Sequence, residues 1–106
     1  MRSIKSVNEV WKLEMKNPFS TIKATLYISI VGDRVTGRME QRKSTSDITD
    51  GKVEGDTLVW KASRKPKFLT FEFTAKIDGD KMSGTVKSRL GKATLKGTRI
   101  SHEITS

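Results

Sequence analysis

The segment IVGDRVTG (30–37) places a Gly-Asp pair between two runs in which apolar and polar residues alternate. The same pattern recurs as VEGDTLVW from Val53 and as IDGDKMSG from Ile77. Glycine at the first position of a two-residue hairpin loop accepts a positive φ without a steric clash, and alternation with period two indicates a strand. Each copy therefore predicts a β-hairpin, and the repetition predicts three hairpin pseudo-repeats.

The three turns fix a register that can be tested against the pattern of apolar residues, because a one-residue slip would turn a whole apolar face outward. Ile48 falls out of phase unless the chain bulges at Asp50–Gly51. A fourth turn is predicted at Leu90–Gly91. The predicted pairs place apolar residues and glycines on one face: Ile30–Val35, Ile28–Gly37, Leu26–Met39, Val53–Leu58, Gly51–Trp60, Ile77–Met82, Ala75–Gly84, Phe73–Val86, and then Val86–Leu95 and Met82–Arg99.

These patterns predict eight strands joined by short connections, which requires an antiparallel up-and-down meander. Because one face is apolar and free sheet edges invite aggregation, we expect the meander to close. The prediction is an all-β, eight-stranded antiparallel up-and-down barrel. We expect one domain over 1–106, with an N-terminal arm at 1–7 and a C-terminal tail at 101–106. The predicted strands are 8–16, 20–31, 34–42, 46–54, 57–63, 68–77, 81–88 and 92–100.

Composition narrows the classes of function. The 106 residues contain no cysteine and one histidine, His102, which lies beyond the last predicted strand and is expected to be solvated. Clustered ligands for zinc are lacking, so we expect neither a metal nor a cofactor, and we assign no catalytic residue. No apolar run approaches the roughly 20 residues of a membrane span, and the first residues lack the apolar core of a signal peptide. The expected location is cytoplasmic.

Trp11 in the first strand and Arg99 in the last fall on the predicted inward face, and closure would bring these strands side by side. This arrangement resembles the calycin superfamily of lipocalins, fatty-acid-binding proteins and avidins. The resemblance implies that Trp11 packs under Arg99 and plugs a closed end of the barrel. Glu9 stands where lipocalins typically have glycine, so the resemblance carries no family function to this chain.

Charge differs between the two ends of the predicted barrel. The Gly-Asp turns contain Asp33, Glu54, Asp56, Asp78 and Asp80 against Arg34 and Lys81. The loops at the opposite end contain cations and no acid: Lys16, Arg42, Lys43, Arg64, Lys65, Lys67, Arg89 and Lys92. A ring of one sign around an opening of low dielectric constant attracts ions of the opposite sign. We therefore place the mouth of the barrel at the basic end.

The first functional hypothesis is binding of a small apolar or amphipathic molecule that is anionic at one end. We expect its apolar body to contact five side chains on the inward face: Met39, Trp60, Phe71, Phe73 and Val86. Its head group would meet polar and cationic residues near the mouth: Gln41, Ser88, Arg42, Lys65, Lys67 and Arg89. An eight-stranded barrel can hold one small ligand or be filled by its own side chains, and the sequence leaves both open.

Two further hypotheses remain open. The net charge of +9 fits a protein that binds an anionic surface, of nucleic acid or of another protein, through the same basic loops. The segment KASRKPKF, from Lys61 to Phe68, combines cations with an aromatic residue, as in sites for single-stranded nucleic acid. The third hypothesis is a cofactor-free isomerase, cyclase or lyase in the barrel. The sequence predicts no oligomeric state.

Overall fold

The computed structural model describes residues 6–42, 44–64 and 69–105. Within them the chain forms eight strands, each paired antiparallel with the next, and the last returns to the first to close the barrel. This confirms the predicted fold class. No helix in the described residues could cross a membrane. The strands are β1 (Ser6–Lys16), β2 (Thr21–Val31), β3 (Arg34–Gln41), β4 (Ser44–Glu54), β5 (Thr57–Arg64), β6 (Leu69–Asp78), β7 (Lys81–Ser88) and β8 (Gly91–Thr105).

The three Gly-Asp hairpins have the predicted register. Ile30 lies opposite Val35, Val53 opposite Leu58, and Ile77 opposite Met82. The turn glycines, Gly32, Gly55 and Gly79, have φ angles of 63° to 64°, the positive values for which glycine is favoured. The predicted bulge in β4 is also confirmed: the register shifts between Thr49 and Lys52, and Asp50 has a φ of 52°.

The fourth hairpin differs from the prediction by two residues. Its turn consists of Arg89 and Leu90 instead of Leu90–Gly91, so Ser88 faces Gly91. Within this turn the Ser88 hydroxyl accepts a hydrogen bond from the Leu90 amide at 3.1 Å. A shift of two residues leaves each side chain on its predicted face. It replaces the expected pairs, however, with Val86–Ala93, Gly84–Leu95 and Met82–Gly97.

Both ends of the chain extend their strands beyond the predicted limits. β1 begins at Ser6, and β8 continues to Thr105, so most of the expected tail is paired with β1. The prediction that the last strand ends at residue 100 is therefore wrong. A bulge leaves Ile100 without a partner on β1, since Trp11 pairs with Arg99 and the preceding residue of β1 pairs with Ser101. The bulge shifts the alternation of side chains and brings His102 opposite Glu9.

The core is formed by the inward side chains of all eight strands. Those with the least exposure are Trp11, Leu26, Leu58, Trp60, Met82 and Leu95. Some inward glycines admit neighbouring backbone instead of leaving space. A Cβ atom on Gly84 would lie 1.8 Å from the carbonyl oxygen of Thr74 and 2.7 Å from the Cα of Ala75. The backbone of β6 therefore packs directly against Gly84 of β7.

Candidate ligand-binding site

A cavity of about 370 Å³ opens between the β1–β2 loop and the β7–β8 turn. This is the end of the barrel where the basic loops lie, opposite the Gly-Asp turns. Side chains therefore do not fill the barrel completely. Most of the lining is apolar and comes from Met15, Ile22, Met39, Ala62, Leu69, Phe71, Phe73, Val86 and Ala93, together with Phe19 and Leu90 at the rim. The polar lining includes Gln41, Ser44, Ser46, Ser63 and Ser88.

Most of the residues predicted to bind a ligand border this cavity. The structure brings six of them together: Met39, Gln41, Phe71, Phe73, Val86 and Ser88. Trp60 is different, because it is 1% exposed and lies behind the cavity lining. Contact between any of these side chains and a ligand stays a prediction.

Trp60 positions two residues of the lining. Its ring stacks on Phe73, with centroids 4.9 Å apart and 4° between the ring planes. Its indole Nε1 donates a hydrogen bond to the sulfur of Met39 at 3.4 Å. A buried indole N–H needs an acceptor, and the thioether supplies one. Trp60 therefore acts as a support that holds Phe73 and Met39 in place.

The polar lining is concentrated where β3 meets β4. Gln41 faces Ser44 and Met39 faces Ser46 across the strand pair, with all four side chains on the inner side. Within the described part of the chain, the side chains of Gln41 and Ser46 form no hydrogen bonds, so their donors and acceptors are available to a bound molecule. The Ser88 hydroxyl accepts from the Leu90 amide and can still donate. The cavity thus combines an apolar wall with a small polar corner.

The cations predicted to meet a head group are arranged differently from the expectation. Arg89 is exposed in the β7–β8 turn and does not line the cavity. Arg42 borders an open groove on the outside of the barrel. The predictions for Lys65 and Lys67 fall outside the described residues. Among the described residues, Lys92 is the cation that lines the cavity. The prediction missed this role because it treated all mouth cations as equivalent.

The closed end holds Trp11 and Arg99 in the arrangement that the calycin resemblance implies. Trp11 is fully buried, and the central carbon of the Arg99 guanidinium lies 5.6 Å from the Trp11 ring centroid. Nε and one terminal nitrogen of Arg99 both donate to Oδ1 of Asp80, at 2.9 and 2.6 Å. The hydrogen bond to Asp80, followed by that to Glu9, outweighs the opposing effect of burial and raises the pKa of Arg99.

Glu9 is the acceptor at the centre of this end, with 6% of its surface exposed. Its Oε1 accepts from the indole Nε1 of Trp11 at 2.9 Å, and its Oε2 accepts from Arg99 at 2.9 Å. The same Oε2 lies 2.7 Å from Nδ1 of His102, and a guanidinium nitrogen of Arg99 lies 3.3 Å from this Nδ1. His102 is exposed, as expected, but it belongs to β8 instead of a tail and contacts Glu9.

The sequence contained a signal for the role of Glu9 that the prediction did not use. Glu9 and Trp11 are two residues apart in a strand, so their side chains share the inner face with Arg99. A carboxylate on the face that carries a buried cation predicts an ion pair. This cluster lies at the end of the barrel opposite the cavity, and Arg99 does not line the cavity.

No protein-family model and no curated protein sequence matches the chain.

Proposed function

We propose that the barrel binds one small apolar or amphipathic molecule that carries an anionic group and enters through the basic mouth. The observation that carries this proposal is the cavity of about 370 Å³ with a mostly apolar lining. Ligand sites in proteins are typically concave, largely apolar and of roughly 300–1000 Å³, with a few polar groups that fix orientation. The cavity has this combination of size and chemistry.

The arrangement of the lining supports one orientation of the ligand. Phe71 and Phe73 offer flat apolar surface to the body of the molecule. Gln41 and Ser46 have free hydrogen-bonding groups, and Lys92 supplies a positive charge. A ligand with an anionic oxygen near Lys92 and an aromatic or alkyl body against Phe71 would satisfy all of them. The cluster at the opposite end also supports a calycin-like barrel with one entrance.

Fluorescence titration tests the proposal, because Trp60 stacks directly on the cavity residue Phe73. We expect a member of a panel of aromatic and alkyl carboxylates to change Trp60 emission in a saturable way. Ser46→Phe would fill the cavity and abolish the change. Thr45→Phe is the matched control, since Thr45 is the exposed neighbour of Ser46 on β4. Equal responses from the two variants would contradict binding in the cavity.

A further inference from the structure

The outside of the barrel is divided into walls of different charge. The outward side chains of β7, β8 to Thr98, β1 from Lys12 and β2 to Thr25 form a surface that we call the basic wall. It carries one acid, Glu14, and seven exposed lysines: Lys12, Lys16, Lys23, Lys81, Lys87, Lys92 and Lys96. The opposite surface, on β4 to β6, carries the lysines Lys52, Lys61 and Lys76 and the acids Asp47, Asp50, Glu54, Glu72 and Asp78.

The strand register arranges the basic wall as rows across the sheet. Each row contains at least one lysine next to a hydroxyl side chain, and in one row Glu14 lies between Lys96 and Lys23. Only barrel closure, by the pairing of β8 with β1, makes these residues neighbours. The rows are Lys81–Thr98–Lys12–Thr25, Ser83–Lys96–Glu14–Lys23 and Thr85–Thr94–Lys16–Thr21.

The lysines of the basic wall lack the ion pairs that neutralise those opposite. Lys52 pairs with Glu54 at 3.3 Å, Lys61 with two acids at 3.8 Å, and Lys76 with Asp56 at 3.8 Å. On the basic wall, among the described residues, one ion pair forms, between Lys16 and Glu14 at 3.4 Å.

Two of the unpaired lysines are also direct neighbours, since Lys87 lies opposite Lys92. Like charges directly opposite each other destabilise a strand pair. The surplus charge on this wall is therefore not compensated within the described protein, and an external anion would relieve the repulsion.

The basic wall contains an open groove of about 1000 Å³. Five cations border it, Lys12, Lys23, Lys81, Lys96 and Arg42, against two acids, Glu14 and Glu40. The short side chains of Thr25, Ser83 and Thr98 complete its polar lining. Hydroxyl and ammonium donors are the groups that proteins use to contact phosphate oxygens. A groove lined in this way fits a linear anion, such as the backbone of a polymer, that lies between the lysine side chains at its borders.

We propose that the basic wall binds the phosphate backbone of double-stranded nucleic acid without reading its bases. Single strands are usually held by exposed aromatic side chains, and bilayers by apolar side chains that insert among the lipids. Among the described residues the wall offers no exposed aromatic side chain, and the one exposed apolar side chain at its groove is Ile100, which alone makes a small insertion surface for a bilayer. Phe19, which is 94% exposed, lies on the loop at the mouth, and Tyr27 on β2 is covered by Arg38, whose guanidinium lies 4.3 Å from the ring centroid.

This surface shares Lys16 and Lys92 with the mouth loops on which the sequence placed an anionic partner, but neither lysine lines its groove. It also lies outside the barrel, whereas the cavity lies inside. The inference therefore does not depend on the proposed ligand.

Fluorescence anisotropy with a short labelled DNA duplex of mixed sequence tests the proposal. The test variant is Lys12→Glu/Lys96→Glu, and the matched control is Lys52→Glu/Lys76→Glu, which lowers the net charge by the same amount. We expect the test variant to weaken binding by at least about tenfold and to reduce the slope of log affinity against log salt by about 2, since each lost phosphate contact removes roughly one unit. The control should stay within about threefold of wild type.

Three results would overturn the proposal. Equal losses in both variants would show that net charge acts without a defined surface. If the wild-type protein does not bind the duplex at low salt, double-stranded nucleic acid is excluded as the partner of the basic wall. Stronger binding to vesicles of phosphatidylcholine and phosphatidylglycerol in equal parts, lost in the test variant, would identify a bilayer instead. Circular dichroism melts establish whether each variant is folded. If a glutamate variant unfolds, both are replaced by glutamine variants, with Lys12→Gln/Lys96→Gln as the test and Lys52→Gln/Lys76→Gln as the control.

Discussion

Trp60 and Phe73 lie in parallel at the wall of the cavity, with ring centroids 4.9 Å apart. Trp60 is buried, while Phe73 faces the cavity on its other side. The pair therefore joins the packed core to the surface that a ligand would touch. A change to one ring affects both stability and binding, whereas a change at Phe71, which is only half-buried, should affect chiefly binding.

This difference predicts that two alanine variants affect stability and ligand affinity to different extents. Phe73→Ala should lower the free energy of unfolding by about 3–5 kcal/mol, because it removes a buried ring and leaves a void beside Trp60. Phe71→Ala should cost clearly less stability but weaken ligand binding by about tenfold, since the lost contact is largely with the ligand. Urea denaturation and the Trp60 titration measure the two quantities. Equal destabilisation by both variants would contradict the assignment of Phe71 to the cavity surface.

The cluster of Glu9, Trp11 and Arg99 predicts a stability effect without an effect on binding. Glu9→Gln should lower the free energy of unfolding by about 1.5–3 kcal/mol, because a neutral amide replaces the buried carboxylate that accepts hydrogen bonds from Trp11 and Arg99. Ligand affinity should not change, since Glu9 does not line the cavity. Thermal melts and titrations of the same protein sample test both statements, and a loss of affinity in a fully folded Glu9→Gln protein would contradict the separation of the two ends.

The pH dependence of this loss follows from the raised pKa of Arg99. A group whose pKa is raised on folding contributes stability that is fully present below its unfolded pKa and is lost as pH rises through its folded pKa. For Arg99 this loss lies in the strongly alkaline range. The destabilisation by Glu9→Gln should therefore be equal at neutral and at mildly alkaline pH. A destabilisation that fades between these two conditions would contradict a permanently charged Arg99.

The close approach of β6 to β7 predicts a difference between two glycines. Gly84→Ala should destabilise the barrel by about 1–3 kcal/mol, because its Cβ would meet backbone atoms of Thr74 and Ala75 that cannot move aside independently. Gly97→Ala is the control, since the nearest atom there is the Cδ2 of Leu13 at 2.8 Å, the end of a flexible side chain. Denaturant titration compares them. Greater damage from Gly97→Ala would contradict the described packing.

The position of Lys92 predicts which cation selects an anionic ligand. Lys92→Gln should weaken binding of a carboxylate by about fivefold, a modest effect because the charge lies at a solvated rim. Arg42→Gln removes the same charge from the outer groove and should leave affinity nearly unchanged. Titration with a carboxylate and with its uncharged amide distinguishes charge from shape. The amide should bind both variants and wild type equally, and selective weakening by Arg42→Gln would contradict the assignment.

Much of the fold could be predicted because the turn glycines and the alternation of apolar residues both indicate the same closed meander. The glycines at positions 32, 55 and 79 fixed three turns, and the alternating flanks fixed their register. The fourth turn carries no such glycine at its first position, so the same signal was lacking there. The extension of β8 depends on pairing with β1 across nearly the whole chain, which a polar local segment does not reveal.

The cavity could be predicted only in part. The alternation of inward and outward residues along the strands identified most of the cavity lining. The volume of the cavity, however, depends on how Trp60, Phe73 and Met39 pack together. The basic wall was missed for a different reason. Summing charge by loops compares the two ends of the barrel, whereas Lys12 and Lys96 lie on its side and become neighbours only when β8 closes on β1.

Native mass spectrometry of the protein isolated from its own host tests ligand binding most directly. The wild-type protein should carry a small molecule that is released on denaturation and absent from Ser46→Phe, while Thr45→Phe retains it. A wild-type protein that is free of any bound mass and that also fails to bind the carboxylate panel would contradict the central claim, and the cavity would then be a packing feature without a ligand.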